Sequence, residues 1–171
     1  MKSTIKTLCR FFMLWSAMFA VGSTIGGCAS IGTQNYSFEF DLRKDHQHAA
    51  ILDYWYGNSR ADRWIFPDDW YVKQGTLFYF QGVFGAMSTQ ASLYVKWRDT
   101  ETGKIYEDTV DLRHRFPKNI DDHTVYLMIR DAQLYVYLVS PELRPLTMSY
   151  SGPSMYARYK VTTIYPDQAK P

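Results

Sequence analysis

Four histidines, His46, His48, His114 and His123, are the natural place to look for chemistry in this chain. His46 and His48 follow Asp45 and stand two positions apart, so on an extended strand they project to one side and can share a zinc ion. A catalytic zinc takes three protein ligands, and the pair needs a third from elsewhere in the fold. The competing reading is a solvated loop, and no metal or other cofactor is expected. Asp121, Asp122 and His123, and likewise Asp111 with His114, set carboxylates near an imidazole, the pairing that serves proton transfer. The same residue types are ordinary at turns and strand edges. The sequence contains no Gly-x-Ser-x-Gly elbow, phosphate loop, zincin helix motif or dinucleotide fingerprint. The expectation is a protein without catalytic residues, not an enzyme.

The two cysteines sit at Cys9 and Cys28, inside a segment with a distinctive layout. Lys2, Lys6 and Arg10 are followed by an almost wholly apolar stretch at 11–21, the order of a secretory signal. A helix crossing a bilayer needs roughly twenty apolar residues, about twice this length. Ile25, Gly26 and Gly27 then lead directly into Cys28. This stretch resembles the lipobox of bacterial lipoproteins. The resemblance implies cleavage between Gly27 and Cys28, diacylglycerol on the Cys28 sulfur, and a further acyl chain on the new amino terminus. An ordinary signal cut elsewhere is the alternative. Two or three acyl chains hold a protein to a membrane almost permanently, because each buried methylene contributes about 0.8 kcal/mol. Ala29, where an aspartate would signal retention in the inner membrane, implies the outer membrane, facing the periplasm.

Removing the first 27 of 171 residues leaves 144, enough for one domain with a real core. The removed piece holds three basic and no acidic residues, so 19 basic against 17 acidic becomes 16 against 17, and net charge +2 becomes −1. The basic excess belongs to the export signal, so charge gives no support for a nucleic-acid partner. With Cys9 cut away and Cys28 lipidated, the domain has no disulfide or thiolate site. The expected division is a signal at 1–27, lipidated cysteine and tether at 28–35, one β-rich domain at 36–166, and a tail at 167–171.

What must position any site is a set of strands. From Tyr36 onward, aromatic and β-branched residues alternate with polar ones at period two. A hairpin is expected at 92–112 turning through Thr100 to Gly103, with Arg98 facing Ile105, Trp97 facing Tyr106, Lys96 facing Glu107 and Leu93 facing Val110. A second is expected at 124–139, turning through Arg130 to Gln133, with Val125, Leu127, Ile129, Leu134, Val136 and Leu138 on one face. Further strands are expected at 49–56, 71–81 and 156–165, with loops at 57–59, 67–69, 82–90, 116–122 and 141–153. Eight or nine short strands with little helical periodicity predict an all-β antiparallel sandwich or open barrel.

Aromatic residues are the compositional excess: 29 in the chain, of which 25 remain after removal of the signal. Buried strand faces account for many of them. An exposed tyrosine and tryptophan surface for a protein partner is the functional alternative. Arg60, Arg63, Trp64 and Trp70 mix guanidinium and indole in one expected loop and are the candidate contact residues. The segments 93–98 (LYVKWR), 106–112 (YEDTVDL), 133–138 (QLYVYL) and 163–167 (TIYPD) resemble those of small proteobacterial lipoproteins, some of which accompany type VI secretion effectors. That resemblance implies a lipid-anchored protein-binding module, in its sharpest form an immunity protein. A structural or assembly lipoprotein of the envelope is the alternative, and a metal-dependent periplasmic hydrolase the third.

Overall fold

The computed structural model describes residues 32–58, 63–147 and 149–167, apart from the side chains of Arg63 and Trp64. The signal, Cys28 and the start of the tether, up to residue 31, lie outside the described residues. Nine strands form two sheets: β1 (Thr33–Asp41), β2 (Ala49–Gly57), β3 (Arg63–Ile65), β4 (Phe80–Ser88), β5 (Ser92–Asp99), β6 (Ile105–Asp111), β7 (Thr124–Arg130), β8 (Gln133–Leu143) and β9 (Tyr159–Tyr165). One sheet has the order β4-β1-β7-β8-β9 and the other β3-β2-β5-β6, so the all-β sandwich is the observed fold. The barrel alternative falls away, and β1 beside β7 runs parallel, so the sandwich is not purely antiparallel.

Both expected hairpins form, the first in the expected register and the second with its apolar residues on one face as expected. Arg98 pairs with Ile105, Trp97 with Tyr106, Lys96 with Glu107 and Leu93 with Val110. In the second hairpin Val125 pairs with Leu138, Leu127 with Val136 and Ile129 with Leu134, and all six are buried.

The core lies between the sheets. Phe38 of β1 stacks on Tyr56 of β2 at 4.9 Å, and Phe40 meets Tyr54 edge-on at 5.2 Å. A register shift between Ile51 and Asp53 inserts Leu52 as an extra residue in β2. A strand alternates faces with period two, so one inserted residue moves the inward positions from Ile51 to Tyr54 and Tyr56. Trp97 is buried in the four-stranded sheet, and its indole N–H donates to the Asp131 carbonyl in the opposite sheet's hairpin (3.4 Å).

Three sequence expectations are corrected. The segment 71–81 is not one strand: Asp69–Lys73 is a short helix, α1. The Asp68 carboxylate accepts from the Trp70 N–H (2.7 Å) as its N-cap, and Gly75 at φ +69° closes its end. The expected loop at 82–90 is mostly strand β4, hidden by its glycines and by the absence of a β-branched run. The segment 141–153 begins as the end of β8. Beyond it, the chain up to Tyr156 lies over the outer face of the five-stranded sheet. There the Ser154 N–H donates to Asp45 (3.0 Å), the Tyr156 hydroxyl donates to Glu39 (2.8 Å), and the Tyr156 ring meets Tyr126 at 5.3 Å. Tyr126, Met128, Tyr137 and Val139 make a second apolar cluster on this outer face, which is why β7 is buried on both sides.

Candidate functional site

The acid and histidine clusters prove to be turns. Asp45 and His46 both have positive φ, at +58° and +52°, in the tight link from β1 to β2. His46 is exposed, and His48 turns instead to Glu101, 3.3 Å from its Nδ1. Asp121 accepts the Asn35 N–H (2.8 Å), and the His123 Nδ1 lies 2.8 Å from the Asp121 carbonyl. Their work is to fix the start of β1 against β7. Asp111 is held by the Arg113 guanidinium fork, which keeps its carboxyl below the usual range, and His114 lies in the turn that follows. Among the described residues, no three His, Cys, Asp or Glu side chains gather where a metal could bind.

Buried tyrosines carry the strongest electrostatic perturbation. The hydroxyls of Tyr36 and Tyr56 share a hydrogen bond (3.1 Å), Tyr36 donates to the Ser88 carbonyl (2.9 Å), and Tyr56 accepts from the Gln90 N–H (3.4 Å). Burial pushes both phenols up, and it pushes Tyr54 to about 12, with its hydroxyl donating to Gln81 (3.0 Å). Phenols held neutral in a satisfied chain of hydrogen bonds tie β1, β2 and the end of β4 together.

A groove of about 550 Å³ opens beside the segment that follows β8, lined by Tyr137, Arg144, Tyr150, Lys160 and Thr162 among others. Its cations are already engaged. Arg144 donates twice to the Ala157 carbonyl (3.1 and 3.0 Å) and lies over the Tyr150 ring, and Lys160 pairs with Glu142.

Exposed aromatics are the remaining candidate. Trp70 is 61% exposed and Tyr71 48%, meeting edge-on at 5.1 Å on α1. Phe80 (57%) and Phe84 (70%) lie on the outer side of β4, whose other face sends Met87 into the core. The Phe80 ring passes close to Gly82, and the Arg43 guanidinium lies 5.0 Å from its centroid. Arg43 also grips Asp41 (2.7 and 2.9 Å), lowering that carboxyl. Of the four contact residues expected from sequence, Trp70 is described and exposed, on α1. Arg63 and Trp64 begin β3, with side chains outside the described residues, as is the whole of Arg60. Phe84 was missed because 82–90 reads as a loop, and Phe80 because it falls in a segment expected as a strand at 71–81; the bulky residues at 80 and 84, four apart around Gly82, were the available signal. Six other aromatics, Tyr36, Phe38, Phe40, Tyr54, Tyr56 and Trp97, are buried in the core between the sheets.

Comparison with protein-family models, curated proteins and solved structures gives no match. Fold and surface together define the class to which the functional reading attaches: a two-sheet β-sandwich with an exposed aromatic segment.

Proposed function

We propose that this chain is a lipid-anchored, non-catalytic protein-binding module of the bacterial envelope, carried on the outer membrane by acyl chains on Cys28 and serving as an immunity protein against a secreted effector. The observation that supports the binding half is the exposed pair Trp70 and Tyr71 on α1. Neither ring is drawn into the core, whereas Tyr36, Phe38, Phe40, Tyr54, Tyr56 and Trp97 are all buried there. Tryptophan and tyrosine dominate the energetics of protein contacts because each buries a large area with few rotamers to fix. The proposed binding residues are Trp70 and Tyr71, with Arg60, Arg63 and Trp64 as further candidates from the sequence.

The test is genetic. A strain lacking this gene is expected to be killed when the product of an adjacent gene reaches its periplasm. The wild-type chain restores growth, and W70A restores it poorly at equal abundance, since loss of a central tryptophan contact costs about 2 kcal/mol or more of binding. A deletion strain resistant to every adjacent product contradicts the immunity reading.

A second reading, a structural or assembly lipoprotein, draws its support from the uncharged free edge of β4. It predicts raised detergent and antibiotic sensitivity on deletion, with no effector present.

A further inference from the structure

We propose that the chain forms a two-fold homodimer in which β4 pairs antiparallel with β4 of a second copy, joining the five-stranded sheets into one of ten strands. This inference goes beyond the functional proposal and does not depend on the lipid anchor.

Backbone directions come first. The Leu42 N–H donates to the Tyr79 carbonyl (2.8 Å), whereas on β1 the Asn35 carbonyl accepts from Asp122 (2.7 Å) and the Ser37 N–H donates to His123 (2.9 Å). Even-numbered residues of β1 therefore address β4, and odd-numbered ones address β7. Opposite Asn35, Ser37, Glu39 and Asp41 stand Ala86, Phe84, Gly82 and Phe80. These four β4 residues direct their N–H and C=O groups away from β1, and no described strand pairs with that side.

The other sheet edges carry the devices that prevent strand addition. β3 is three residues long. β6 carries Glu107, Asp108 and Asp111. β9 carries Lys160, its register with β8 shifts twice, and it is bridged to β6 by the Tyr165 hydroxyl donating to Asp108 (2.8 Å). β4 has nine residues, no proline and no charge.

The second copy is favoured as occupant by how β4 meets itself. A two-fold axis through Phe84 places Phe84 opposite Phe84, Gly82 opposite Ala86, and Phe80 opposite Ser88. Phe84, Gly82, Ala86 and Phe80 have outward backbone groups, as hydrogen-bonded pairs require, while at the rim of the pairing the Ser88 carbonyl is turned to the Tyr36 hydroxyl (2.9 Å). The two Phe84 rings, each mostly exposed in the single chain, become a cross-strand aromatic pair. On the outward face beyond the axis, Phe80 meets Ser88 and Gly82 meets Ala86, so no two large side chains collide there. A charge at the centre would face its own copy, and the strand has none.

Sedimentation equilibrium of the full chain in density-matched detergent reads the result. The wild type is expected at the mass of two 20.0 kDa chains. F84K sets two like charges across the axis and is expected to raise the dimer dissociation constant by roughly 100-fold or more. A86P removes an N–H that β1 does not use, and it is also expected to give a monomer. Both variants should keep the wild-type far-ultraviolet circular dichroism and urea midpoint. A wild type that stays monomeric up to its solubility limit overturns the proposal, including one that binds an extended segment of another protein instead. A dimer that survives both substitutions overturns it as well.

Discussion

Gln47 is expected to hold the end of the parallel pair together, and replacing it measures how much one side chain contributes there. β1 and β7 pair as far as Phe40 and Leu127, after which the chain leaves β1. Ile129, two residues further along β7, would then have no partner for its buried N–H. The buried Gln47 side chain takes the missing strand's place. Its Oε1 accepts from the Ile129 N–H (2.7 Å), and its Nε2 donates to the carbonyls of Asp41 (3.1 Å) and Lys44 (3.2 Å). In Q47L the Asp41 carbonyl still receives the Tyr126 hydroxyl (3.4 Å) and the Lys44 carbonyl still receives the Gln47 position's own N–H (3.3 Å). Only the Ile129 donor is orphaned outright, which costs about 2 kcal/mol. With a urea m-value of about 2 kcal/mol/M, the midpoint falls by about 1 M at unchanged m. Q47E keeps the acceptor for Ile129 but aims an ionised oxygen at two carbonyls, so at neutral pH it should fall further. Burial and the carbonyls raise that carboxyl's folded pKa, so its deficit is full at neutral pH and shrinks as acid protonates it, down to about pH 4. A Q47L midpoint within about 0.2 M of wild type would refute the reasoning.

Y36F removes the donor to Ser88 and the shared bond with Tyr56 and should cost about 1–2 kcal/mol in urea unfolding, whereas a neutral result would mean that the hydroxyl chain is dispensable. Acid should destabilise the domain through its held carboxylates. Asp41, lowered first by Arg43, and Asp99, lowered first by the Thr102 N–H, give stability that is present above about pH 4 and lost as pH falls through their depressed folded values. D41N should therefore flatten the stability slope below about pH 4, and an unchanged slope would contradict the assignment. Chelator is expected to leave the melting temperature of the wild type and of H46A/H48A unchanged; a zinc-dependent rise in the wild type alone would reinstate a metal site.

The fold was legible where strands carry their own partners. In β5–β6 an aromatic pair, an ion pair and an apolar pair agree on one register, and in β7–β8 six apolar residues share a face. Neither feature depends on distant chain. The parallel pairing of β1 with β7 was not legible, because both strands read the same whichever neighbour they take. α1 is too short for its period to register, and only Asp68 beside Pro67 marks its start. β4 was hidden because its inward face contributes little beyond Val83 and Met87, with its large residues facing out. That inversion is what made the strand unreadable and what leaves Phe80 and Phe84 available. For the same reason the exposed aromatics were only partly legible: Trp70 stood out by type, while Phe84 depended on a strand that local pattern does not announce. The segment over the outer sheet could be recognised only once Tyr126, Met128 and Tyr137 faced outward together.

The central claim is that this sandwich works at a membrane surface, held there through Cys28. Intact-mass and peptide spectrometry of the protein from bacterial membranes tests it most directly. The account predicts a chain beginning at Cys28, with diacylglycerol on its sulfur and an acyl chain on its amino group. A mature chain starting at another residue, with an unmodified Cys28 thiol or without that cysteine, would contradict it.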